Sequence, residues 1–114
     1  MNLLLSPHND DEALFASYTV IRERPHVVVC HRAAHGYGDP DEREAESRAA
    51  VEILGGTFEQ RDIPSDDNYL HSALVAMDRI WEPARVWAPN MDTSHADHAL
   101  LACVALDVFG DRLI

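Results

Sequence analysis

Four times in 114 residues a short apolar run gives way to a longer segment whose apolar residues recur at helical spacing. This alternation restricts the chain to one fold class. "NLLLS" (Asn2 to Ser6) leads into "DDEALFASYTVIRER", which carries acids at its front and Arg22 and Arg24 at its end. That charge order suits a helix dipole, and Pro25 stops the segment. "HVVVCH" is β-branched and continuous, the pattern of a strand covered on both faces. "DPDEREAESRAAVEILGG" follows, with Asp39 as N-cap, Pro40 in the first turn and Gly55-Gly56 as the stop. "TFEQRDIP" reads as a weaker third strand. "DDNYLHSALVAMDRIW" then places Leu70, Leu74, Met77 and Trp81 on one helical face. "ARVWAP" is a fourth strand, "SHADHALLACVALDVFG" a mostly apolar helix buried on one side, and "DRLI" the start of a fifth strand.

Strands alternating with helices of this length imply an α/β chain with right-handed crossovers. The expectation is a Rossmann-like open parallel sheet in three layers (αβα), a minimal βαβαβαβα core with strand order 3-2-1-4. Residues 1–114 read as one domain, short or truncated at the C-terminus. Nine basic against twenty acidic residues leave a formal charge of -11 and no basic stripe, so a nucleic-acid partner is not expected. No apolar run is long enough to span a bilayer, and "MNLLL" lacks the length and basic flank of a signal peptide. A cytoplasmic location is the expectation. Cys30 and Cys103 sit in apolar runs and read as buried free thiols.

In an open parallel sheet, ligands bind outside the carboxyl ends of the strands, where the strand order reverses. With the order 3-2-1-4, strands one and four are neighbours at that point. His8, Asn9, Asp10, Asp11 and Glu12 follow strand one; Asp92, His95, Asp97 and His98 follow strand four. Two His/Asp clusters far apart in sequence therefore face one crevice. At a helix start, positions i and i+3 share a side. His8 and Asp11 can converge on one ion, with His98 as a third ligand from across the crevice. Two imidazoles and a carboxylate suit Zn2+, and three protein ligands leave a position for water, as in catalytic sites. The competing reading makes Asp10 or Asp11 a cap of the first helix and Asp97 a cap of the fourth. Finding both clusters at paired strand ends favours the metal site.

These residues resemble the PIG-L/LmbE family of zinc-dependent de-N-acetylases, which act on N-acetylglucosamine conjugates. The family signature H-P-D-D-E is matched by "HNDDE", and H-P-D-H by "HADH". R-x-x-E before an A-x-x-x-L-G helix end is matched by Arg43, Glu46 and "AVEILGG". The resemblance implies His8, Asp11 and His98 as zinc ligands, one ion per chain, with other divalent transition metals as alternatives. It implies Asp10 as the general base. His95 would stabilise the oxyanion or protonate the leaving amine, with Asp97 orienting it, and Arg43 would contact substrate. The implied partner is a small N-acylated sugar or conjugate, with a second copy of the chain as a candidate to complete the pocket. Two other readings stay open: a metal-dependent hydrolase of a different amide, and a domain that binds metal or sugar with little or no turnover. The signature prolines are replaced here by Asn9 and Ala96, and Ser17-Tyr18 stand where the family carries Gly-Gly.

The remaining polar residues have blander readings. Arg43 and Glu46 are spaced for an i,i+3 ion pair as well as for a substrate role. His31 and His35 read as solvated loop histidines near the same edge, and Asp66 or Asp67 as a turn and N-cap. Trp81 and Trp87 read as packing residues, and His71 as a helix-surface residue.

Overall fold

Leu3, Leu4 and Leu5 are all buried, although successive strand side chains point to opposite faces. Only a sheet covered on both sides allows this. The computed structural model describes residues 1–9, 16–32, 38–90 and 95–114. The strands are β1 (Asn2–Ser6), β2 (His26–Val29), β3 (Thr57–Gln60) and β4 (Arg85–Trp87). The helices are α1 (Ser17–Glu23), α2 (Pro40–Ile53), α3 (Asp67–Trp81) and α4 (Ala96–Phe109). A 3-10 turn over Gly110–Arg112 follows.

The sheet order is β3-β2-β1-β4, as the sequence leads one to expect, and every pair is parallel. Leu3 lies opposite His26 on one side and Val86 on the other. Beyond β4, Leu113 makes a parallel bridge to Val86, and the Ile114 amide donates to the Val86 carbonyl at 2.9 Å. "DRLI" thus does begin a fifth pairing.

Two apolar cores sandwich the sheet. Leu3, Leu5, Val28, Cys30 and Val86 pack with Leu70, Leu74 and Met77 of α3 and with Leu101, Val104, Ala105 and Phe109 of α4. On the other face Leu4, Val27, Val29 and Phe58 pack with Val20 of α1 and Val51 of α2. The result is the three-layer α/β fold.

The helix ends follow local chemistry. Asp39 caps α2 by accepting from the Asp41 amide, with Pro40 at the first position. Asp66 caps α3 by accepting from the Asn68 and Tyr69 amides. Gly55 leaves α2 at φ 96°, and a side chain on Gly56 would stand 3.0 Å from the Pro25 carbonyl oxygen. The turn therefore packs directly on the α1–β2 junction. Arg112 forms a two-pronged bond to Asp78, Nη1 to Oδ1 at 2.6 Å and Nη2 to Oδ2 at 2.8 Å, tying the C-terminal turn to α3.

One expectation is corrected. Cys30 is buried, but Cys103 is exposed; neither is in a disulfide. In α4 the inward positions are Leu101, Ala102, Val104, Ala105 and Phe109. Cys103 falls between them on the outer side. So apolar a helix gives little sign in its sequence of which side faces out.

Candidate functional site at the carboxyl edge of the sheet

Parallel strands bring the segments after β1, β2 and β4 to one edge, and four histidines gather there. His8 follows β1 and is held by a turn in which the Ser6 hydroxyl donates to the His8 carbonyl at 2.9 Å. His31 follows β2 and pairs backbone to backbone with the same turn, its amide 3.0 Å from the Pro7 carbonyl. His95 is the N-cap residue of α4, and Asp97 and His98 lie in its first turn. The His8 ring centre is 5.9 Å from that of His98 and 5.9 Å from that of His31, and His95 and His98 are 5.1 Å apart.

Asp97 joins the two clusters. Its Oδ2 lies 2.7 Å from His8 Nε2, across 89 residues of sequence. Its carboxylate is turned to His8, and the α4 N-cap is His95, which makes no side-chain cap bond. Burial works to raise the Asp97 pKa. Hydrogen bonds from His8 and Ser65, with the attraction of His8 and His31, outweigh it and hold the carboxyl below its ordinary range.

Asn9, which stands where the resembled signature has proline, is only 4% exposed. Its side-chain amide donates to Gln60 Oε1 at 2.8 Å and to Ser47 Oγ at 3.1 Å. Gln60 in turn donates to the carbonyls of Arg61 and His31. Asn9 is thereby fixed to α2 and to the end of β3. Arg43 of α2 brings Nη2 to 3.5 Å from the Asn9 carbonyl oxygen, which places its guanidinium at the same edge.

The structure therefore brings together His8, His95, Asp97, His98 and Arg43 of the residues singled out in the sequence. Asp10 and Asp11, expected as base and ligand, lie outside the described residues, as do Asp92 and His35. Among the described residues no three ligating side chains already close around one point. The described part of a donor set is paired imidazoles. Two imidazoles on one tetrahedral ion hold their ring centres roughly 5 Å apart. The 5.9 Å between His8 and His98 is within a small side-chain adjustment of that value.

His31 departs from its expectation as a solvated loop histidine: it is 5% exposed. Its backbone continues the β1–β2 pairing, and its Nδ1 hydrogen-bonds the Ile63 carbonyl. The sequence does offer a signal, since His31 directly follows the apolar run Val27 to Cys30 at the carboxyl edge. Asn9, Gln60 and Ser65 carry none, because their partners are distant in sequence.

No protein-family model and no curated protein matches the chain. Among solved structures it is similar to the conserved protein TT1542 from Thermus thermophilus, with TM-score 0.81 and 25% identity over 99% of this chain and 59% of that one. It is also similar to the A40926 pseudoaglycone deacetylase Dbv21, with TM-score 0.76 and 20% identity over 98% of this chain and 61% of that one. A deacetylase of the teicoplanin biosynthesis pathway gives TM-score 0.74 and 18% identity over 94% of this chain and 61% of that one. The chain has the fold of these deacetylases. It spans 59–61% of the length of the three solved chains. No helix among the described residues is long and apolar enough to cross a membrane.

Proposed function

We propose that this chain is a metal-dependent hydrolase that removes the acetyl group from an N-acetylglucosamine-type conjugate. The observation that carries the reading is the meeting of His8 with Asp97 and His98, residues of two motifs 89 positions apart, at the carboxyl edge of a fold shared with deacetylases. His8 and His98, with Asp11, are the residues that would hold one divalent ion, Zn2+ by the chemistry of the donor set. When bound, the ion polarises the acetyl carbonyl and makes water more acidic. Asp10 accepts the proton of the attacking water. His95, exposed at the start of α4, delivers a proton to the amine as the carbon–nitrogen bond breaks. The amide and one water become a free amine and acetate. Asp97 holds the His8 ring through its 2.7 Å contact, and Arg43 supplies a guanidinium for substrate hydroxyl or phosphate oxygens.

Metal analysis of protein purified without added zinc is expected to find one divalent ion per chain. Asp10→Asn is expected to lower amine release from an N-acetylglucosamine conjugate by about 100-fold or more while the ion stays bound. Wild type and variant equally inactive, each with its ion, would sink the hydrolase reading and leave a domain that binds metal or sugar without turnover. Release from other acylamines but not from amino sugars would make the chain a hydrolase of a different amide.

A further inference from the structure

Among the described residues, His31 is the one buried imidazole with a nitrogen that has no hydrogen-bond partner. The residue is 5% exposed. Its Nδ1 bonds the Ile63 carbonyl, and its Nε2 meets no donor or acceptor. A polar atom left in this way costs stability and calls for a partner. The carbonyl oxygen can only accept, so the Ile63 bond keeps a proton on Nδ1 and leaves the lone pair on Nε2. What is missing is therefore a donor. Backbone holds the residue in place: the His31 amide donates to the Pro7 carbonyl at 3.0 Å, and Gln60 donates to the His31 carbonyl at 3.2 Å.

Strand order says where such a donor would come from. β1 lies between β2 and β4. His31 follows β2, and its ring centre stands 5.9 Å from that of His8, at the end of β1. His95 and His98 stand on the β4 side, at the start of α4. An acetamido group lying at His8, His95 and His98 leaves the rest of its sugar to reach across β1 toward β2. The donors a sugar offers there are hydroxyls. We propose that His31 is a specificity-determining residue of this site, its Nε2 accepting a hydrogen bond from a hydroxyl of the amino sugar. This rests on the function proposed above and deepens it: the substrate is an acylated amine that carries a hydroxyl on the same sugar, and simple acylamines are poor substrates. A site built on a buried acceptor rejects an analogue that lacks the donor, because binding that analogue leaves the acceptor unpaired.

The test uses the full chain with the methyl glycoside of N-acetylglucosamine and its monodeoxy analogues, each lacking one hydroxyl. One analogue should lose roughly tenfold to a hundredfold in kcat/KM against the parent glycoside. The companion variant is His31→Asn, whose amide N–H can still donate to the Ile63 carbonyl while nothing replaces Nε2. It should lower the parent to the level of that analogue and leave the analogue unchanged, so that their ratio falls to about one. Analogues all turned over as well as the parent would overturn the inference. So would a ratio kept in the variant with both substrates lowered alike, since His31 would then only support the fold. A second readout leaves His31 in place and needs no turnover. In Asp10→Asn protein carrying 15N-labelled histidine, saturating parent glycoside should move the His31 Nε2 resonance upfield, and the discriminating analogue should not. A resonance unmoved by bound glycoside, while wild type releases amine, would overturn the role of His31 and leave the amino-sugar reading standing. Neither amine release nor binding of the glycoside would overturn both.

Discussion

Asn9 holds Gln60 across 51 positions of sequence, donating to its Oε1 at 2.8 Å inside the fold. The same NH2 group reaches Ser47 Oγ at 3.1 Å. Asn9→Ala would leave the buried Ser47 and the half-buried Gln60 without this donor, beside a void. A loss of about 1–3 kcal/mol is expected, read as a lowered urea midpoint with unchanged slope. Asn9→Pro restores the form of the resembled signature but removes the same donor, so it should be destabilised as well. If either variant unfolds at the wild-type midpoint, Asn9 does not tie the end of β1 to α2 and β3.

The Asp78–Arg112 pair should matter in acid. Its hydrogen bond to Arg112 holds the Asp78 carboxyl below its ordinary range. A carboxylate with a lowered pKa stabilises the fold fully above the unfolded value of about 3.9 and loses that contribution as pH falls through the folded value. Both side chains keep some exposure, at 27% and 35%, and solvent screening limits the pair to about 1 kcal/mol. Asp78→Asn should cost that much at pH 7 and less at pH 2. Equal losses at both pH values would point to packing instead.

The two cysteines should behave oppositely. Burial pushes the Cys30 thiol up to about 12, while Cys103 is exposed. At pH 8 a thiol reagent should titrate one cysteine in the native chain and two in denaturant. Because the folded state resists losing the Cys30 proton, stability is fully present below about 9 and falls by about 1.4 kcal/mol per pH unit as pH climbs toward 12. Cys30→Ala should flatten that alkaline loss. Two thiols reacting at the native rate would show that the core around Cys30 opens.

Much of the fold was legible because the hydrophobic period changes at each boundary. A continuous "VVVC" can be satisfied only between two helical layers, and Pro25, Pro40 and Gly55 mark ends by backbone chemistry alone. The neighbouring positions of β1 and β4 followed from parallel topology, and with them the approach of His8 to Asp97 and His98. Facing was harder to read. Cys103 sits in a helix apolar almost all round, so no polar stripe told which side met water. His31 looked like a loop residue because its cover comes from Ile63, in a segment that only the folded sheet brings near. Asn9 looked like a lost proline. Its function as a clamp depends on Ser47 and Gln60, and no local pattern announces them.

The placing of β1 between β2 and β4 also sets an order of assembly. The first strand can pair with β2 as soon as residues 26–29 are made, but its other edge waits for residues 85–87. Contacts of such long sequence separation form slowly, since the loop they close must be ordered first. A nascent chain thus carries His8 with no β4 beside it until residues 85–87 have been made. The gathering of His8, Asp97 and His98 waits on that pairing of β4 with β1, and whatever they bind can reward only a sheet in which it has formed.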